Sequence, residues 1–249
     1  MAAPFDAPAF GHDRSAVLRH FPPPPSMERI REIVARINRP LRMMTWCSGI
    51  GAPEEAVRQL GLNARLAAYA EIDPAASAVL AARHPRAAQL GDLTASDFVE
   101  RAMANRPYDL VVGGLPCQAF SVAGARKGLV DPRGNLTLRA LRLLDDLRVP
   151  LFVYENVPGI LSDGTGAFGS LLAGLCGGEE ALPKPRNRKG RSMPWPTAGI
   201  AEGPERVLCW RVLDAQHWGK PQCRRRVFLV AATRASTIDP TKILFDHAA

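Results

Sequence analysis

From Leu41 onward the sequence alternates short apolar runs with segments of helical character, each pair separated by a turn rich in Gly or Pro. This regularity constrains the fold more than any other feature, because strands alternating with helices build a sheet with helices packed on its faces. Residues 41–46 read as a buried strand. The turn Cys47-Ser48-Gly49-Ile50-Gly51-Ala52 follows, then a helix over residues 53–60 that begins at Pro53 and stops at Gly61. Residues 66–72 read as a second strand, 74–83 as a second helix and 88–93 as a short third strand. Residues 108–112 form a fourth, running into Gly113-Gly114-Leu115-Pro116. A helix over 136–147, a fifth strand over 150–154 and a helix around 168–175 continue the pattern. Two apolar runs, 207–213 and 226–232, suit a closing antiparallel hairpin. The expectation is an α/β fold with a doubly wound, mostly parallel sheet and a C-terminal antiparallel hairpin.

The flanking segments have a different texture. Residues 1–40 read as an N-terminal extension, with a proline run at Pro22 to Pro25 and a short helix over 27–37 that places Ile30, Ile33, Val34 and Ile37 on one face. Residues 177–205 are rich in Gly, Pro and cations and read as a long loop inserted into the second unit, residues 41–249. No apolar run approaches the roughly 18 residues of a membrane span. The first residues carry no basic patch followed by an apolar stretch, so a secretory signal is not expected. Five widely spaced cysteines with no Cys-x-x-Cys pair argue against a disulfide scaffold or a zinc ribbon and for a reduced, cytoplasmic protein without a metal. The formal charge of +8 favours an anionic partner where it is concentrated, in Lys184, Arg186, Arg188, Lys189 and Arg191, and in Arg224 to Arg226.

In such a sheet ligands sit at the carboxyl ends of the strands, and five polar features fall there. Gly49-x-Gly51 allows the backbone to approach a ligand. Glu71, at the end of strand two, stands where an acid commonly accepts ribose hydroxyls, and Asp92, after strand three, is placed to meet an exocyclic amine. Together these favour an adenosine-containing cofactor. The fourth feature is Gly113-Gly114-Leu115-Pro116-Cys117-Gln118-Ala119-Phe120-Ser121, a cysteine stiffened by Pro116 in a loop of small and polar residues. The fifth is Glu155-Asn156-Val157 on the neighbouring strand tip, so a thiol and a carboxyl group can face one reacting ring.

Pro116 to Ser121, followed by Gly124, Lys127-Gly128, Asp131 and Arg133-Gly134, closely resembles the catalytic segment of the cytosine-C5 DNA methyltransferases. Glu155-Asn156-Val157 resembles that family's Glu-Asn-Val motif, and Gln222-Cys223-Arg224-Arg225-Arg226 its Gln-x-Arg-x-Arg motif. The resemblance runs from about Leu41 to Ala232 with the motifs in the family's order. It implies a Rossmann-like sheet of the S-adenosylmethionine-dependent type, with S-adenosylhomocysteine as product. It also implies a cofactor pocket formed by Cys47, Ser48, Gly49, Ile50, Gly51, Glu71, Ile72, Asp92, Leu93 and Pro116. Cys117 becomes the nucleophile toward C6 of cytosine, Glu155 the group at N3, and Arg226 the arginine at O2 with Arg224 as its helper. The target base would be flipped out of duplex DNA. Gln118, Ser121, Arg126, Lys127 and Arg133 would meet the nucleic acid, together with the five cations of the 184–191 run. A related enzyme acting on tRNA, and a regulatory homologue needing a partner subunit, are the alternatives.

Two departures stand out. The family usually has an aspartate near Thr45 and an aromatic near Cys47, so weaker cofactor binding is expected unless Ile72 or Leu93 supplies the contact. Family members also continue past Gln-x-Arg-x-Arg into a variable target-recognition region and a last motif rich in Gly-Asn-Ser-Val. The sequence carries no such segment after Arg226. The expectation is a minimal catalytic domain, active alone or with a second polypeptide that supplies target choice. Trp195 is expected to anchor the 177–205 loop rather than to stack on a base.

Overall fold

The computed structural model describes residues 40–115, 136–178 and 180–245. The helix expected over 27–37 and the segment 116–135 lie outside the described residues. Eight strands form one sheet: β1 (Leu41–Trp46), β2 (Ala64–Ala70), β3 (Ala88–Gln89), β4 (Leu110–Gly113), β5 (Leu151–Asn156), β6 (Ala198–Glu202), β7 (Arg206–Asp214) and β8 (Arg225–Thr233). Among the described residues six α-helices accompany them: α1 (Ala52–Gln59), α2 (Pro74–Arg83), α3 (Phe98–Met103), α4 (Leu136–Asp146), α5 (Ala167–Cys176) and α6 (Pro240–Leu244). The spatial order is β3-β2-β1-β4-β5-β8-β7-β6. Strands β1 to β5 run parallel, while β8, β7 and β6 are each antiparallel to the preceding neighbour.

The chain order reverses between β1 and β4, which lie side by side, so a crevice opens at their carboxyl ends. Met43 to Trp46 are all buried, as a central strand covered on both faces requires. One face carries a continuous core that includes Met44, Trp46, Phe98, Val111, Phe152, Tyr154, Phe168 and Trp210. The opposite face holds two smaller clusters. One joins Met43, Leu66, Tyr69 and Leu80, and the other joins Cys209 and Val230 to Leu244 and Phe245 around α6.

The parallel sheet and the antiparallel close follow the sequence expectation, with three corrections. The 177–205 region is not loop throughout, because Ala198–Glu202 forms β6, so the antiparallel part has three strands rather than two. Glycine made this stretch look irregular, yet Gly199 faces Trp210 across the ladder and leaves room for its ring. The third strand keeps only Ala88–Gln89, and β2 ends at Ala70, so Glu71 and Ile72 stand on the turn beyond it. Helices α3 and α6 escaped the sequence reading because each is shorter than two full turns.

Trp195 is 3% exposed and packs edge-on against Phe168 and Trp210, with ring centroids 5.6 and 6.1 Å away. It anchors its loop to α5 and β7, as expected, and has no face free for a base.

Candidate active site

Parallel pairing brings the strand tips level. Trp46 lies opposite Ala70 on one side and Gly113 on the other, and Gly113 lies opposite Tyr154. The residues that follow these tips therefore share one edge of the sheet.

The first tip is a tight turn. Cys47, Gly49 and Gly51 all have positive φ, at 52°, 58° and 98°. At Gly51 a Cβ would approach Leu80 Cδ2 to 3.2 Å and Glu54 Oε2 to 3.4 Å, so both the backbone and the space call for glycine. The second tip clamps the first: Glu71 Oε2 accepts from the Gly49 N–H and Oε1 from the Asp73 N–H, both at 2.9 Å. Asp73 in turn caps α2 by accepting from the Ala76 N–H at 2.8 Å.

Burial, then the nearby Glu71 and Asp92 carboxylates, push the Cys47 thiol from 9.0 to about 11. Cys47 is thus a neutral thiol at pH 7. Asp92 is exposed and accepts from the Thr94 N–H and hydroxyl, each at 2.8 Å.

Ile50 and Ile72 are strongly exposed, at 65% and 73%, on the two turns that Glu71 links. Two apolar side chains near the Glu71 and Asp92 carboxylates make a surface suited to a cationic nucleoside. Leu93 is buried in the main core instead, with its carbonyl taken by Arg139 Nε at 3.2 Å. The residues at the two turns thus fit an adenosine-type cofactor, whereas Leu93 packs in the core.

The missing acid at Thr45 has a counterpart that the sequence reading overlooked. Thr45 donates its hydroxyl to Glu54 Oε1 at 2.6 Å, so the first turn of α1 brings a carboxylate to that spot. Both residues are buried. Glu54 Oε2 has no hydrogen-bond partner among the described residues.

On the other side of the crevice β5 presents Glu155 beside the tip of β4. A Cβ on Gly114 would lie 3.6 Å from Glu155 Oε2 and 3.8 Å from the Cys47 carbonyl. Gly114 therefore joins the two halves of the site. Arg226 Nε stands 2.9 Å from Glu155 Oε1 and Arg224 Nη2 3.9 Å from it. Three of the four expected catalytic residues are thus together. Asn156 donates from Nδ2 to the Leu115 carbonyl at 3.1 Å and accepts from the Val157 N–H at 2.7 Å. This buried amide fixes Leu115, the last described residue after β4.

The family model for C-5 cytosine-specific DNA methylase matches residues 41–171. The chain belongs to this family. It is 32% identical over 195 residues to the type II methyltransferase M.AquIA of a Picosynechococcus strain, covering 76% of this chain and 71% of that protein. A protein of Escherichia phage P1 named DNA N-6-adenine-methyltransferase is 44% identical over 226 residues, covering 80% of this chain and 29% of that protein. The chain spans less than a third of the phage P1 protein and of the Bacillus phage SPR orphan methyltransferase M.SPRI. Among solved structures, the S. pombe Dnmt2 methyltransferase superposes with a TM-score of 0.54 at 20% identity, covering 80% of this chain and 53% of that one. That likeness supports the Rossmann-like fold of S-adenosylmethionine-dependent methyltransferases.

Cys117, Pro116, Gln118, Ser121, Arg126, Lys127 and Arg133 lie outside the described residues. In the basic run, Lys184 Nζ donates to the carbonyls of Ser162 and Asp163, and Arg186 Nη1 to the Gly190 carbonyl at 3.0 Å. Lys184 thus ties the loop to the turn before α5 and Arg186 braces the loop internally, while Arg188, Lys189 and Arg191 are exposed. No group of three or more His, Cys, Asp or Glu side chains among the described residues could hold a metal ion. No helix among them is long and apolar enough to cross a membrane.

Proposed function

We propose that this chain is the catalytic core of a DNA cytosine-5 methyltransferase that uses S-adenosylmethionine. The observation that carries the reading is the Glu155 carboxylate, held by Arg226 and Arg224 beside Gly114, one short step along the chain from Cys117.

The ring of cytosine is too electron-poor at C5 to attack an alkyl group unaided. Addition of the Cys117 thiolate to C6 makes C5 nucleophilic. Glu155 stabilises the ring at N3 by hydrogen bonding or proton donation, and Arg226 offsets the charge that develops at O2. Bound S-adenosylmethionine supplies an electrophilic methyl group. Glu71 holds the turns that would cradle its adenosine, and Asp92 stands nearby for an amine. Transfer of the C5 proton to water and departure of Cys117 as its thiolate then re-form the C5–C6 double bond, which restores the aromatic ring and frees the enzyme. A base inside a duplex cannot reach this crevice, so the cytosine is flipped out. The exposed Arg188, Lys189 and Arg191 supply sequence-independent contacts to phosphate.

The test is transfer of a labelled methyl group to duplex DNA, to tRNA and to duplexes lacking cytosine, followed by identification of the modified base. The reading expects 5-methylcytosine in DNA. It also expects Cys117→Ala to abolish transfer while binding S-adenosylmethionine as the parent does. Label found only in tRNA, N6-methyladenine as the product, or undiminished transfer by Cys117→Ala would overturn it.

A further inference from the structure

The two arginines that meet Glu155 have few anchors of their own. Among the described residues Arg226 Nη1 donates to the adjacent Arg225 carbonyl at 2.8 Å, and its Nε faces Glu155. Arg224 is exposed, and its guanidinium reaches Glu155 only at 3.9 Å. Their aim must therefore come from the backbone that carries them, and that backbone converges on one buried carboxylate.

Asp214 closes β7 and is 8% exposed. Its Oδ1 accepts from the Arg224 N–H at 3.1 Å and from the Gln216 N–H at 3.3 Å. Its Oδ2 accepts from Gln216 Nε2 at 3.0 Å and lies 3.8 Å from Cys223 Sγ. Beside it the Ala215 N–H donates to the Arg224 carbonyl at 3.0 Å, and Asp214 itself pairs with Arg225 across the ladder. One side chain thus fastens both ends of the connection between β7 and β8, at the point where Gln222 to Arg226 enters the site.

We infer that Asp214 is a positioning residue for methyl transfer, fixing the Arg224 peptide so that the guanidinium groups of Arg224 and Arg226 face Glu155. The inference rests on the C5-methyltransferase reading of the site. Asp214 touches no reacting atom. Its carboxylate works because both oxygens accept hydrogen bonds at once, which holds a buried acid in place with little freedom. An amide there keeps one acceptor oxygen, whereas a methyl group keeps none.

The experiment compares Asp214→Ala and Asp214→Asn with the parent chain in three measurements: cofactor dissociation constant, kcat and KM for a cytosine-containing duplex, and hydrogen exchange at the Arg224 amide. Asp214→Ala is expected to lower kcat about 10²-fold, as a misplaced catalytic group does. It is expected to leave KM and the cofactor dissociation constant within about threefold and to expose the Arg224 amide to exchange. Asp214→Asn is expected to restore kcat to within about tenfold of the parent, the cost of one lost hydrogen bond, and to keep the amide protected. Undiminished kcat in Asp214→Ala would overturn the inference, as would equal losses of kcat and cofactor binding. A parent chain that methylates nothing would instead defeat the underlying reading. In that case the exchange measurement still decides the positioning role: protection retained at Arg224 in Asp214→Ala sinks it.

Discussion

Arg226 reaches from β8 to Glu155 on β5, its Nε 2.9 Å from the carboxylate Oε1. The pair is partly open to water, with side chains 23% and 33% exposed, so it contributes at most about 1 kcal/mol to stability. Its value is in the site. Glu155→Gln is expected to reduce methyl transfer by about 10² to 10⁴, and Arg226→Ala by about 10² to 10³, with melting temperatures close to the parent's. Single-turnover assays beside thermal melts check this. A Glu155→Gln variant with full turnover would remove Glu155 from the chemistry.

Glu71 binds two turns together through the Gly49 and Asp73 N–H groups. Glu71→Ala is therefore expected to weaken S-adenosylmethionine binding by about 10- to 100-fold, the worth of hydrogen bonds to a charged group. The loss should appear in the dissociation constant measured by calorimetry, and saturating cofactor should recover most of kcat. A variant that binds cofactor normally but turns over slowly would place Glu71 elsewhere in the mechanism.

Gly199 leaves room for Trp210. A Cβ there would sit 2.3, 2.4 and 2.9 Å from three atoms of the indole, so the ring and its edge contact with Phe168 must shift. Gly199→Ala is expected to cost about 1 to 3 kcal/mol in denaturant unfolding. Cofactor affinity should stay unchanged, because β6 lies at the far edge of the sheet from β1. Unaltered stability would show that the antiparallel edge yields more readily than its packing suggests.

Three thiols give the fold an alkaline weakness. Burial raises Cys47 to about 11, with help from Glu71 and Asp92, and raises Cys176 and Cys209 to about 12. In the unfolded chain these groups ionise near 9.0, while the folded state keeps its protons longer and so binds more of them between the two values. Stability is therefore full below about pH 9 and falls as pH rises through the window up to about 12. Melting temperatures recorded from pH 8 to pH 10.5 should decline, less steeply in Cys176→Ala. The exposed Cys223 should meanwhile react with iodoacetamide at pH 8 much faster than Cys47, Cys176 or Cys209.

The parallel half of the sheet was legible because local signals agree there. Pro53 and Pro74 open helices, Gly61 closes one, and buried runs such as 41–46 lie between them. The site motifs were legible for the same reason, since glycines, acids and arginines fall just after strand tips. Strand β6 was not, because Ala198–Glu202 carries only one large apolar residue and owes its conformation to the ladder with β7. Glu54 and Asp214 were also passed over. Each sits in an unremarkable stretch of sequence and gains meaning only from a partner, Thr45 for one and the Arg224 peptide for the other.

By itself the sequence determined the alternation of strands and helices, the family, and the set of residue types available for chemistry. Those depend on local propensity and on motifs read along the chain. Tertiary structure decided which groups meet. Parallel register aligned Trp46, Ala70, Gly113 and Tyr154, and antiparallel pairing of β8 with β5 brought Arg226 to Glu155, 71 positions apart in the chain. Contacts of that separation are fixed by hydrogen-bonded strand register and by the packing of the shared core, and neither can be read from spacing along the sequence.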